Sequence, residues 1–232
     1  FNVRADNAAK KIIEKEGIDL TYYSIIYELI DDAKAKLSGL LDPIIREEIV
    51  GTADVLEVFN SPKFGQVGSL RIIGDKSLSH RAVILCSLAT GVSRIKNILL
   101  SGDTKATIQI FKQLGVEINE TNNNEVEIHG VGLRGLKQPN NSLDAVNSGT
   151  TARLLIGLLS KQNFSTELTG SSQLIKRPMK RVVKPLNEKG ADIKDTNGKL
   201  PINFEPKDYK FESIHSDKPS AQVKSGFLLA SL

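Results

Sequence analysis

The sequence predicts an α/β fold in two parts: a repeat domain over residues 68–232, built about a pseudo-threefold axis and incomplete in its third unit, and a small βαβα stretch before it. Three observations predict it. DKSLSHRAVILCSLATG is echoed by VNSGTTARLLIGLLSKQ and again by KPSAQVKSGFLLASL; aligning Ser77, Gly149 and Ser220 spaces the copies 72 and 71 residues apart. FKQLGVEI is echoed by LNEKGADI, with Gly115 and Gly190 separated by 75. Charge also changes sign along the chain: residues 1–67 hold 8 Lys and Arg against 12 Asp and Glu, and the remainder holds 23 against 15. Self-similarity at one spacing marks duplicated supersecondary units, and a charge step separates pieces with different tasks.

FNVR reads as a short strand, and DNAAKKIIEKEG as an amphipathic helix capped by Asp6 or Asn7 and stopped by Gly17. IDLTYYSI has β character. IIYELIDDAKAKLSGLL is a helix with apolar spacing at Ile26, Leu29, Ile30, Ala33 and Leu37, ended by Pro43. Residues 1–45 thus make the βαβα stretch. Residues 46–67 supply a strand, TADVLEVF, and a turn, NSPKFG. From residue 68 each copy reads as a helix, β segments, a second helix and more β. The third copy stops at Leu232 after its first helix, which reads as a truncation, and the opening FNVR, without methionine, reads as an internal piece.

Composition is that of a soluble globular protein, 40% hydrophobic and 25% charged. The longest apolar runs, AVILC and LLIGLL, fall far short of the roughly 20 residues that span a bilayer, so no membrane partner is expected. No export signal opens the chain. A single cysteine, Cys86, excludes an internal disulfide and fits a reducing, cytoplasmic compartment. It sits mid-helix among Ile84, Leu85 and Leu88, where it reads as a packed thiol and not a nucleophile. The basic second part suits nucleic acid or small anions. Few aromatic residues accompany the cations as stacking partners, which favours small anions and disfavours nucleic acid or the ribosome.

Each copy opens with small polar residues at a helix start and carries a cation four places later: Arg81, Arg153 and Lys224. A helix start leaves backbone N–H groups free and bears partial positive charge, so it favours anions. Arginine adds a planar fork that fits carboxylate or phosphate. Taken singly, such a motif is a plain cap with solvated bases; three in register build a pocket for several anionic groups. LIKRPMKRVVKPL is dense in cations: Lys176, Arg177, Lys180, Arg181 and Lys184. Pro178 fits a first helical turn, leaving Arg177 near the cap to face a ligand, with 180, 181 and 184 as a solvated stripe. His80, His129 and His215 lack metal-ligand spacing, and HExxH, CxxC, Walker A and dinucleotide patterns are absent, so no metal or cofactor is expected. His80 lies close to the candidate site, with packing at the first turn as its plainer reading. SGDT reads as the cap of KATIQIFKQLG, with Asp103 a cap residue and not an acid catalyst.

These residues resemble the 5-enolpyruvylshikimate-3-phosphate synthase (3-phosphoshikimate 1-carboxyvinyltransferase) family. GSLRIIGDKSLSHRAVIL, NSGTTARLL, KRPMKRVVKPLNEKGADI, LPI and PSAQVKSGFLLASL carry the resemblance over residues 68–232, about the first half of such an enzyme. The related transferase that acts on UDP-N-acetylglucosamine fits less well, since its catalytic cysteine lies in a loop and Cys86 lies in a helix. The resemblance implies two domains, each of three βαβαββ units, and transfer of the enolpyruvyl group of phosphoenolpyruvate to the 5-hydroxyl of shikimate 3-phosphate without metal or organic cofactor. It implies that Lys76, Gly149, Arg177 and Gln222 meet phosphoenolpyruvate. Ser77, Arg81, Ser220, Ala221 and again Gln222 would hold shikimate 3-phosphate, with Thr150 and Arg153 in support. The family's general acid and base lie in its second half, so no catalytic residue is assigned here, and weak binding with little or no turnover is expected of this chain. Ile73 stands where the family usually has proline, Val146 where it often has glycine, and Ser171 where it often has aspartate. Apolar helix faces left uncovered by the incomplete unit are expected to bring marginal stability or self-association.

Residues 1–67 resemble bacterial translation initiation factor two, through FNVRADNAAKKIIEKEGIDLTYYSIIYELIDDAKAKLSGLL and REEIVGTADVLEVFNSPKFGQVG. The stretch would cover part of that factor's third domain and the first strands of the following barrel. The two resemblances meet near GQVGSLR, so the chain reads as a chimera. A non-catalytic initiation-factor fragment and an inert fusion product are the alternative readings.

Overall fold

The computed structural model describes residues 53–61, 65–121, 124–215 and 220–232, together with the helical position Lys15. The chain divides into two compact units, Phe1–Ile49 and Val50–Leu232. The strands and helices expected before residue 53 lie outside the described residues, and the architecture below is that of the second unit.

Strand β1 (Ala53–Ser61) runs antiparallel to β2 (Gly65–Ile72), which leads into helix α1 (Lys76–Leu88) and strand β3 (Thr90–Lys96). Helix α2 (Gly102–Gln113) and the hairpin of β4 (Glu117–Thr121) with β5 (Glu125–Val131) complete this part. The sheet order is β1-β2-β3-β5-β4, with β2 and β3 parallel and β3 and β5 antiparallel. A second sheet repeats the plan. Strand β6 (Leu143–Asp144), helix α3 (Gly149–Leu159), strand β7 (Thr166–Thr169), helix α4 (Lys180–Glu188) and strands β8 (Asp192–Thr196) and β9 (Lys199–Glu205) pair in the order β6-β7-β9-β8. There too the first two strands are parallel and the others antiparallel. Two βαβαββ units follow one another, and helix α5 (Ala221–Ser231) stands where the first helix of a third would be. β1, from the stretch preceding the repeat, extends the first sheet along β2.

Local chemistry explains where the helices begin and end. Asp75 caps α1 by accepting the Leu78 N–H at 2.8 Å, and Ser148 and Ser220 cap α3 and α5 in the same way. Ser101 caps α2 in a reciprocal box with Thr104; Asp103, expected as a cap, lies in the first turn and pairs with Lys76 instead. Helix α4 starts at Lys180 behind Met179, two residues later than a first-turn Pro178 would place it, and has no side-chain cap. α2 and α4 close alike. Gly115 (φ +88°) and Gly190 (φ +108°) turn left-handed, and the next amides reach back to Phe111 O and Leu186 O at 3.0 and 3.1 Å. The echo between these two stretches is therefore a repeated helix stop.

One apolar core joins the two βαβαββ repeats, with Ile84, Ile95, Phe111, Leu154, Leu155, Met179 and Phe204 among its buried members. On β9 the burial of Leu200, Ile202 and Phe204 alternates with more exposed residues, as a one-faced strand requires. On α4, Val182, Val183 and Leu186 are buried, while Lys180, Arg181 and Lys184 stay exposed. Helix α3 is the hub, with 9 of its 11 residues buried. It meets α5 backbone to backbone: a Cβ on Gly157 would lie 1.8 Å from Gly226 O. Cys86 packs at the edge of the core, where burial pushes its thiol up against a hydrogen bond with Ser93. Among the described residues no helix is long and apolar enough to cross a membrane, and no group of three His, Cys, Asp or Glu is placed to hold a metal.

Candidate functional site

The repeated cation at the fourth place after each aligned start behaves the same way in the first two copies. Arg81 Nη1 donates to Ser77 O at 3.0 Å, and Arg153 Nη1 donates to Gly149 O at 3.2 Å. Each guanidinium then reaches α5. Arg81 donates through Nε and Nη2 to Ser225 Oγ at 3.2 and 2.9 Å, and its Nη2 lies 3.5 Å from Ala221 O. Arg153 donates to Gln222 Oε1 at 2.9 Å, and Gln222 Nε2 donates to Thr150 Oγ1 at 2.9 Å. The starts of α1, α3 and α5 are thereby tied into one cluster, which brings three positively polarised helix ends together. In the third copy the aligned Lys224 is exposed.

Arg177, in the turn before α4, joins the cluster from the side. A Cβ on Gly149 would lie 2.9 Å from Arg153 Nη1 and 3.2 Å from Arg177 Nη1, so the two guanidiniums flank a residue that presents only backbone. Arg153 also donates to Pro178 O at 3.3 Å, which fixes the turn that carries Arg177. Burial lowers the Arg153 guanidinium from its ordinary value, and the Arg177 and Arg181 cations lower it further. Arg181, read from sequence as part of a solvated stripe, is thus close enough to act on Arg153. Burial lowers Arg81 too, with Asp75 opposing. No carboxylate pairs with Arg81, Arg153 or Arg177 among the described residues. Crowded cations that no described carboxylate pairs with are suited to receive an anion.

The remaining candidates take varied places. Lys76 pairs with Asp103 across α1 and α2 while keeping half of its side chain exposed. Ser77 offers its carbonyl to Arg81 and stays exposed. Ser220 caps α5, accepting the Val223 N–H at 3.4 Å, with Ala221 exposed beside it. Ser171 holds Asn147 and the Leu174 N–H from the turn after β7, and Val146 sits at φ +51°. His80, expected to pack at its first turn, is buried there, and sequence reading missed the buried hydroxyls it joins: Thr107, Ser148 and Thr151. It also missed Ser225, which anchors Arg81. Small hydroxyl residues at helical spacing were the only signal for either. The whole arrangement can fix two or more anionic groups between helix ends, arginine forks and open backbone.

Comparison with known proteins agrees with this geometry. The EPSP synthase (3-phosphoshikimate 1-carboxyvinyltransferase) family matches residues 63–232, and the translation-initiation factor 2 family matches residues 1–34. The 3-phosphoshikimate 1-carboxyvinyltransferase of Sulfurihydrogenibium sp. is 50% identical over 168 residues, and that of Ruthia magnifica subsp. Calyptogena magnifica 48% identical over 167. Each alignment covers 71% of this chain, which spans 38% of the length of those relatives. EPSP synthase from Acinetobacter baumannii superimposes with a TM-score of 0.66 at 43% identity, covering 71% of this chain and 38% of that one. Repeat, fold and sequence converge, and the chain belongs to the EPSP synthase (3-phosphoshikimate 1-carboxyvinyltransferase) family.

Proposed function

We propose that residues 68–232 form one wall of an enolpyruvyl transferase, holding phosphoenolpyruvate and shikimate 3-phosphate on the starts of α1, α3 and α5. The observation that carries this reading is the meeting of those three helix ends with Arg81, Arg153 and Arg177, none paired with a carboxylate among the described residues. Gly149 lets the phosphoenolpyruvate anion approach backbone between Arg153 and Arg177, with Gln222 at the boundary of the two ligands. Lys76 leaves Asp103 for the incoming anion, exchanging one ion pair for another. Ser77, Arg81, Ser220 and Ala221 take shikimate 3-phosphate, whose phosphate suits the amides of a capped helix start. Thr150 holds Gln222, and Gln222 holds Arg153, so the supporting residues keep the forks aimed.

In the transfer, the 5-hydroxyl gives up its proton as its oxygen bonds to C2 of phosphoenolpyruvate, while the C2–C3 double bond opens and C3 takes up a proton. The tetrahedral adduct then loses inorganic phosphate and a C3 proton to leave the enol ether. This wall supplies charge and orientation for the oxyanions. The proton transfers are assigned to the part of the family that lies outside the matched residues. The chain by itself is therefore expected to bind both ligands and release little phosphate.

Calorimetric titration of the 232-residue chain with each ligand tests the reading. Arg177→Ala is expected to weaken phosphoenolpyruvate binding by about tenfold or more, the worth of a charge-assisted hydrogen bond. Absence of binding by the unsubstituted chain to either ligand would sink it. The single cysteine and the biosynthetic relatives favour a cytoplasmic setting. The match of residues 1–34 to translation-initiation factor 2 supports a second reading, a non-catalytic fragment of that factor fused to the transferase wall. Co-sedimentation with ribosomes decides it, and the scarcity of aromatic residues among the cations argues against binding.

A further inference from the structure

We infer that His80 and Thr107 are positioning residues of this site, which fix the start of α3, and with it Gly149 and Arg153, through a chain of neutral buried hydrogen bonds. The inference rests on the reading of the three helix starts as the binding wall. His80 lies on α1, Thr107 on α2, and Thr151 with its cap Ser148 at the start of α3; all four are fully buried. His80 Nδ1 lies 2.7 Å from Thr107 Oγ1, which lies 2.8 Å from Thr151 Oγ1, which donates to Ser148 Oγ at 2.7 Å.

Counting protons gives the chain a direction. The one hydroxyl proton of Thr151 is spent on Ser148, which also accepts the Thr151 N–H at 3.1 Å. Thr107 must then donate to Thr151, and its own proton is spent in turn. With Thr151 donating to Ser148, His80 donates to Thr107 and, at 3.4 Å, faces Thr151 Oγ1 with the same nitrogen, so the imidazole carries its proton on Nδ1 and leaves Nε2 a bare lone pair. That lone pair is buried without a hydrogen-bond partner among the described residues, an arrangement tolerable for a neutral ring and costly for a charged one. The layer therefore ties three helices together without adding charge beneath Arg81 and Arg153. Apolar side chains of the same volume would pack these helices equally closely but would leave their relative rotation less determined, because only directional bonds single out one register. The cationic layer above needs that register: Arg153 must reach Gly149 O and Gln222 at once.

The test uses the full 232-residue chain with Thr107→Val, which keeps the shape and removes the hydroxyl, and Thr107→Ser, which restores it. Three readouts are taken: ring ¹⁵N shifts of His80, hydrogen exchange at the amides of residues 149–151, and titration with phosphoenolpyruvate. The unsubstituted chain is expected to show a protonated Nδ1 and an unprotonated Nε2 at neutral pH. Thr107→Val is expected to speed exchange at Thr151 and weaken phosphoenolpyruvate binding, each by about tenfold, and Thr107→Ser to recover both. An Nε2-protonated ring overturns the inference, as does exchange at residues 149–151 that stays within about twofold in Thr107→Val. If that variant does not fold, the ring tautomer and the Thr107→Ser exchange rates decide the matter. Failure of the unsubstituted chain to bind phosphoenolpyruvate removes the functional reading instead, and the tautomer and exchange results still judge the positioning.

Discussion

His80 shows how burial turns a common residue into a determinant of acid stability. Burial is the main cause that lowers its pKa from 6.5 to about 4, with Lys76 and Arg81 of its own helix adding to the effect and Asp75 and Asp103 opposing it. Between these values the unfolded chain takes up a proton that the native site refuses, so stability is complete above about pH 6.5 and falls as pH drops toward 4. The loss through this window amounts to about 3 kcal/mol at most. Urea melts at pH 7, 5.5 and 4.5 are expected to show it, and His80→Asn, which has no proton to take up, to flatten that part of the profile. An unchanged slope in His80→Asn would falsify the assignment. Val146 is the second residue of this kind. It stands where the family often has glycine, and its backbone supplies the reason: φ is +51°, a region that a β-branched side chain enters at a cost. Val146→Gly is expected to raise stability by about 1 kcal/mol, the relieved strain less the added freedom of the unfolded chain. Loss of stability in a melt would show the strain to be compensated locally.

At the scale of elements, the helices of both units were legible because their signals are local. Caps, apolar spacing and the two glycine stops at 115 and 190 all lie within a few residues of what they control. α4 was legible in composition but not in its start, since Pro178 suits a first turn and yet lies before the Met179 cap. The strand order was not legible in the sequence, because pairing is decided across long loops; the resemblance implied only the βαβαββ succession of elements, and the two sheets share one order apart from β1. The crossing of α3 and α5 was invisible too. Gly157 reads as a weak spot in an apolar helix until Gly226 O is found where its side chain would be, 1.8 Å from a built Cβ. Gly157→Ala is expected to destabilise the fold by about 3 kcal/mol, because only backbone can yield there. Gly102→Ala serves as the control: nothing lies within 4 Å of its Cβ, and a change of no more than about 0.5 kcal/mol is expected. Equal effects in the two variants would mean that α3 and α5 shift apart without penalty.

Across the whole molecule, the site was legible as three separate starts but not as a contact network. Arg81 and Ser225 are 144 residues apart, and Arg153 and Gln222 are 69 apart. Periodicity shows that such starts are equivalent; only the packing of the units brings them together. The same packing leaves a seam beyond the site. One turn past the Arg81–Ser225 contact, Leu85 of α1 is 55% exposed and Leu228 of α5 is 67% exposed, with Leu232 at 48% near the end of that helix. Large aliphatic side chains left in water on neighbouring helices favour any contact that covers them, at about 25 cal/mol per Å² removed from solvent. The chain is therefore expected to associate with itself as concentration rises, and sedimentation velocity will show the mean mass increasing. Leu228→Lys places a charge on the seam without touching Arg81, Gln222 or Ser225, and is expected to return the chain to a monomer while phosphoenolpyruvate binding stays the same. Persistent association in Leu228→Lys would place the contact elsewhere, and a monomer at every concentration would show that this much exposed apolar surface is too little to hold two copies together.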